Sequence, residues 1–319
     1  MWLVPVLGWI VIGNGFQPWL NKRIANTGKE WDGQGFAGTA FLMLINFSIC
    51  CLYTLMLSMA LGETLWDSKR LPIIAVGFFN ALANFVYWKG MAISLSKVSI
   101  FLVFDDLIAM GLAYWILQEG KFMTSGLSVA ITLCLVSVLF LSAYKKRRAE
   151  IKQEACLVDG VETKQLAKHV WKQEITFLTY VLIFSITWGV AMFAMNYFPK
   201  QGLSQLTFLS SWYIGSVCGG SLLLLLSRRP LPSFRSIGKS NWRLLALLSV
   251  CMPVTNGFGI WAFKLAPQVV IQPIFLVSAA VVPVLIGFYL FREIKELDWL
   301  EKMLFAMSLL GVIIIAIAK

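Results

Sequence analysis

The chain has 319 residues, 59% of them hydrophobic and only 13% charged, with a formal net charge of +11. Soluble domains run nearer about one-quarter charged, so this balance excludes an ordinary soluble enzyme and points to a membrane protein. Its basic residues are gathered in polar gaps between apolar blocks, which argues against a nucleic-acid surface.

The apolar blocks fall at 2–20, 36–61, 71–94, 98–118, 122–143, 175–198, 203–227, 243–265, 267–291 and 299–318. Each approaches the roughly 20 helical residues that a bilayer crossing takes, so about ten spans are expected. The first, opening MWLVPVLGW, has no basic stretch before its apolar run and no small-x-small cleavage site after it, so it reads as a span and not a leader. It carries Asn14 and Gln17, and the second carries Asn46. The third carries Asn80, Asn84 and Lys89 near one helical face. The fourth contains FLVFDDLIAM (101–110), with Asp105 and Asp106 side by side in an apolar run, and reaches Glu119 at its end. After the fifth span comes a polar, basic stretch, 144–174. The sixth holds Trp188 and Asn196, the seventh Tyr213, and the eighth Asn256 and Lys264. The ninth holds Gln268 and Gln272 and leads to Glu293. Pro253, Pro267, Pro273 and Pro283 are expected to kink or interrupt the eighth and ninth spans. The intramembrane amides serve as interhelical glue or as cavity lining.

Counting basic residues along these alternating spans puts 21 of the 27 on the side opposite the N-terminus. The positive-inside rule makes that side cytoplasmic and leaves both termini outside. KKRR (145–148) and SRRP (227–230) are then topology signals and contacts for lipid headgroups. The six cysteines show no metal or disulfide spacing.

The stretch 144–174 divides the chain into 1–143 and 175–319, and weak similarity joins the halves at an offset of about 175 residues. VYWKGMAIS (86–94) aligns with IWAFKLAPQ (260–268), setting Lys89 beside Lys264. YWILQEGK (114–121) aligns with YLFREIKE (289–296), setting Glu119 beside Glu293. Five spans per half is an odd number, so the second half is expected to enter the membrane inverted, as in alternating-access carriers.

This pattern resembles the paired EamA-type repeats of the drug/metabolite transporter superfamily. The resemblance implies two inverted five-helix repeats, a central cavity between the first, third, fourth, sixth, eighth and ninth spans, and transport of small organic molecules. One departure bears on the site: Asp105 and Asp106 stand where the family's fourth span carries a proline, which Pro283 approximates in the second half.

Insertion of a mid-span Asp costs roughly 2.5–3.5 kcal/mol, so two need compensation. They lie close to mid-membrane. Neighbours on a helix point about 100° apart, so one is expected to line the cavity while the other pairs with an adjacent helix. Two carboxylates this close resist double ionisation, the behaviour wanted of a group that exchanges a proton for a cationic substrate. A buried pair with Lys89 is the alternative. Asn80, Asn84, Lys89, Trp188, Tyr213, Asn256, Lys264 and Gln272 are the expected cavity residues, with Glu119 and Glu293 as gate or helix-end elements.

No HExxH, GxSxG or Walker motif occurs, GNGFQP and GFGIWA lack the strand a dinucleotide fingerprint needs, and the sole histidine, His169, is in the central stretch. No enzyme, cofactor or metal is expected. The reading is an all-α polytopic secondary transporter, a proton-coupled exporter of amino acids or organic cations. The alternative is an exchange carrier for sugars, nucleotide-linked sugars or other neutral or anionic metabolites, with Lys89 and Lys264 as ligands. A third is a non-transporting membrane partner. A bacterial inner membrane, lipid contacts, no nucleic acid and a monomer or homodimer complete the expectation.

Overall fold

The computed structural model describes residues 2–32, 36–63, 68–95, 98–99, 103–118, 162–227, 237–292 and scattered positions within 125–136 and 298–310. Every regular element among the described residues is helical. The first span is a composite of α1 (Leu3–Gly8), a π-helical segment (Trp9–Phe16) and α2 (Gln17–Asp32). Then come α3 (Phe36–Ala60), α4 (Arg70–Ile93), α5 (Val103–Ile116), α6 (Glu162–Lys200), α7 (Gln205–Leu226), α8 (Lys239–Leu265) and α9 (Gln268–Tyr289).

Six of these stretches are long and apolar enough to cross a membrane: Leu3–Thr27, Phe36–Ala60, Arg70–Ile93, Ile175–Lys200, Gln205–Leu226 and Asn241–Leu265. A helix satisfies its own backbone, which is why apolar runs of this length take that form. Leu3, Leu7, Val11, Leu52 and Met56 turn outward, as a lipid-facing surface requires. The described part of the fourth span, α5, has 14 residues, and the expected spans at 122–143 and 299–318 lie almost wholly outside the described residues.

Helix α6 begins at Glu162, inside the stretch expected to be a linker. Its opening, ETKQLAKH, is made mostly of strong helix formers, which carry the helix beyond the apolar run. Of the four prolines expected to kink or interrupt these spans, Pro267 interrupts the chain as the cap between α8 and α9, while Pro253, Pro273 and Pro283 lie within continuous helices. The irregular register lies instead in the first span, where the Gln17 N–H donates to Ile12, five residues back. Pro18 follows, and without an N–H it cannot close the next ordinary helical bond.

The middle of the molecule is held by α4 against α7. A Cβ on Gly77 would stand 2.1 Å from the Trp212 carbonyl oxygen, and one on Gly215 would stand 2.0 Å from that of Ile74. The two backbones are therefore in contact, the close approach that small residues permit between membrane helices. Around this seam lie the fully buried Trp88, Trp212, Tyr213 and Phe208. Trp88 Nε1 donates to Asn21 Oδ1 at 3.1 Å and ties α4 to α2.

Lys89 and Lys264 are not equivalent when measured from their helix ends. Lys89 lies a full turn inside the end of α4 at Ile93, while Lys264 is the penultimate residue of α8.

Candidate functional site

The two aspartates lie in the first turn of α5, each about 95% buried. Asp105 Oδ1 accepts from the Asp106 backbone N–H at 2.9 Å, while Asp106 accepts from Gln272 Nε2 of α9. Both border the same cavity, of about 80 Å³. One aspartate does pair with an adjacent helix, as expected, and the difference is that this one, Asp106, also borders the cavity beside Asp105. Although the side chains leave α5 about 100° apart, Asp105 folds onto its own backbone and Asp106 reaches across to α9, so both stay at the cavity's edge.

Six parts of the chain enclose this space. The first span supplies Trp9, Gly13, Asn14 and Gln17, and α4 supplies Asn84 and Tyr87. Helix α6 contributes Phe184, Trp188 and Met192, α8 contributes Thr255 and Asn256, and α9 contributes Phe275 and Ala279. The aromatic rings form two stacks. Trp9 lies on Phe275 with centroids 4.7 Å apart; Tyr87, Phe184 and Trp188 follow one another at 4.7 and 5.8 Å. No Lys, Arg or His is among the described lining residues.

Amide networks hold the lining from behind. Asn84 donates to Asn80 Oδ1 at 2.8 Å, and Asn80 donates to Ser216 Oγ on α7 at 2.9 Å. Asn256 donates to the buried Tyr213 hydroxyl at 3.1 Å. Asn14 donates to Ser278 on α9 at 2.7 Å. The longest network runs from Asn196 on α6 to Gln268, from Gln268 to Gln272 at 3.1 Å, and from Gln272 to Asp106. Every donor in that relay points toward the carboxylate.

Of the expected cavity residues, Asn84, Trp188 and Asn256 line the cavity with the two aspartates. Asn80, Tyr213 and Gln272 stand directly behind them. Lys89 and Lys264 are not among the lining residues: the Lys89 ammonium sits 5.6 Å from the Phe85 ring centroid, and Lys264 is exposed. Glu119 and Glu293 lie outside the described residues. Sequence reasoning passed over Gly13, Tyr87, Phe184, Met192, Thr255, Phe275 and Ala279. In an apolar span these residues look like packing, and only helix rotation turns them inward.

No protein-family model matches the chain, and no curated protein matches it in sequence. A solved structure, "Crystal structure of protein", is similar over 99% of this chain and 96% of its own, with a TM-score of 0.55 and 13% identity. That likeness speaks for the fold alone.

The relay yields a prediction. Gln272→Leu strands the Gln268 amide and removes the donor to Asp106. Each buried polar group left without a partner costs about 1–3 kcal/mol, so thermal unfolding in detergent is expected at a clearly lower temperature.

Proposed function

We propose that this chain is a secondary transporter of the membrane, moving a small organic cation or an amino acid in exchange for protons. The observation that carries the reading is the pair of adjacent buried carboxylates, Asp105 and Asp106, bordering a cavity that has five aromatic rings and no basic residue among its described lining. Intramembrane acids are functional by default, and aromatic faces beside negative charge attract ammonium groups. The cavity lies between the six spans that the drug/metabolite transporter resemblance names, which supports that relationship.

The inverted repeat draws support from packing. Helix α8 lies against the first span as α4 lies against α6, and α9 meets the π-helical segment as α5 meets α6. The chain leaves α4 at Ser94 and α8 at Ala266 in extended conformation. It leaves α5 and α9 through Gln118 and Arg292, both at φ 57°, the only described non-glycine residues in the left-handed region. Paired breaks of this kind suit two halves built alike. The charge count favours an orientation with both termini outside. The exchange-carrier alternative is weaker, because neither Lys89 nor Lys264 is among the residues lining the cavity.

The test is proton movement in proteoliposomes loaded with a pH-sensitive dye, challenged with amino acids, organic cations and sugars. Saturable proton movement driven by an ammonium-bearing compound is the expected result. Labelled substrate crossing without protons would replace proton coupling with exchange. Absence of saturable flux across the whole panel would sink the transporter reading.

A further inference from the structure

A second hollow, of about 230 Å³, lies away from the aspartates between α3, α7 and α8. Tyr53 and Leu57 of α3 and Trp261 of α8 line it and are 40, 36 and 42% exposed. It therefore opens sideways from helices long and apolar enough to cross a membrane. Its α8 wall is a single stripe: Val254, Gly257 and Trp261 follow at spacings of three and four, the interval that returns a helix to the same face. Lys264 continues the stripe three residues on, about 4.5 Å further along the axis, exposed and at the end of α8. No charged side chain is among the described lining, and two of its polar groups are engaged within the protein. Thr54 donates to the Cys50 carbonyl at 2.9 Å, and Gln205 Nε2 donates to that of Gly257 at 2.8 Å. The groove is apolar along its length and basic at its mouth.

We propose that this groove seats an acyl chain of an anionic phospholipid whose phosphate lies against Lys264. An empty apolar space forfeits the dispersion contacts of its lining, and beside a membrane helix the molecule at hand to restore them is a lipid chain. Apolar walls do not choose among lipids, because lipid tails are as apolar as the leucines they touch. The choice falls to the charge. A basic side chain at the membrane surface favours an anionic headgroup roughly fivefold, and the flexible stem of Lys264 lets its ammonium reach headgroup level while Trp261 stays beside the chain. This gives Lys264 a role that the central cavity does not. The groove also bears on that cavity. Phe258 in its lining covers Gly8, where a Cβ would stand 2.7 Å from the ring, and Gly8 adjoins Trp9 on the cavity wall. A seated chain braces α8 against the first span. The site does not depend on the transporter reading.

The test uses purified full-length protein in phosphatidylcholine vesicles that carry a small fraction of phosphatidylglycerol with a photoreactive diazirine in its acyl chain. After irradiation the label is mapped by peptide mass spectrometry. It is expected at Tyr53, Leu57, Leu206 and Trp261 in several-fold excess over Leu3, Leu7 and Val11, which face outward on the first span. Unlabelled phosphatidylglycerol is expected to displace it and unlabelled phosphatidylcholine to leave it in place. Lys264→Gln is expected to lower labelling about fivefold, to the level given by a phosphatidylcholine probe. Val254→Trp, which fills the groove, is expected to abolish it, and Leu57→Trp supplies a second filling variant should the first fail to fold. Even labelling of the whole lipid-facing surface, equal labelling by both probes, or labelling unchanged in Lys264→Gln overturns the proposal. Displacement of the label by an ammonium-bearing compound and not by phosphatidylglycerol overturns it too, and makes the groove part of a substrate path.

Discussion

Asp105→Asn and Asp106→Asn are expected to be the most damaging single substitutions for transport, and to fail in different ways. An asparagine at either position keeps an oxygen acceptor, for the Asp106 N–H in one case and for Gln272 in the other. Local geometry survives and only the ionisable group is lost. The two positions are not interchangeable, because Asp106 is tied through Gln272, Gln268 and Asn196 to α9 and α6, whereas Asp105 is tied to its own helix. Neutralising the member that carries the proton is expected to reduce substrate-dependent proton movement to the level of empty vesicles. Neutralising its partner is expected to weaken uptake of an ammonium-bearing substrate about tenfold or more, equivalent to about 1.4 kcal/mol of lost attraction, while some coupling persists. Proton flux and labelled uptake measured on the same vesicles separate the two behaviours. Flux that survives both substitutions would leave the pair a structural role and would put the exchange-carrier reading ahead.

The helices were the legible part of this sequence because a membrane allows a long apolar block only one way to satisfy its backbone. The aspartates were legible for the complementary reason: acids in such a block stand out against every neighbour. Less could be read of what surrounds them. Whether Asn84 faces inward and Asn80 stands behind it depends on the rotation of α4, which the Gly77 contact with α7 fixes and hydropathy does not record. Thr255, Tyr87 and Phe275 resemble ordinary span residues until three helices converge. The π-helical register of Trp9–Phe16, which contributes Trp9, Gly13 and Asn14 to the cavity, is invisible to a search for a 3.6-residue period. Lys89 and Lys264 stand at different distances from their helix ends, Ile93 and Leu265, which charge identity in the sequence does not record.

The close contact of α4 with α7 sets up the second large effect, on stability. Gly215→Ala would place a methyl 2.0 Å from the Ile74 carbonyl oxygen and 2.8 Å from the Phe78 nitrogen. Those are backbone atoms, so no rotamer change can make room and the helices must separate. Overpacking of this kind costs about 1–3 kcal/mol, and here it also loosens Trp212, which stacks edge-on to Trp188 at 6.0 Å on the cavity wall. Gly77→Ala strikes the same seam from the other side, 2.1 Å from the Trp212 carbonyl oxygen, and is expected to behave alike. Gly111→Ala provides the contrast, because a Cβ there meets nothing within 4 Å. Gly111 lies inside α5, where replacing glycine by alanine is worth about 0.5–1 kcal/mol in favour of the helix. Thermal melts in detergent are therefore expected to fall for Gly215→Ala and Gly77→Ala and to hold or rise for Gly111→Ala. Equal melting of all three would mean that the backbones of α4 and α7 are not in contact, and the enclosure of the cavity by α4 and α6 would have to be redrawn.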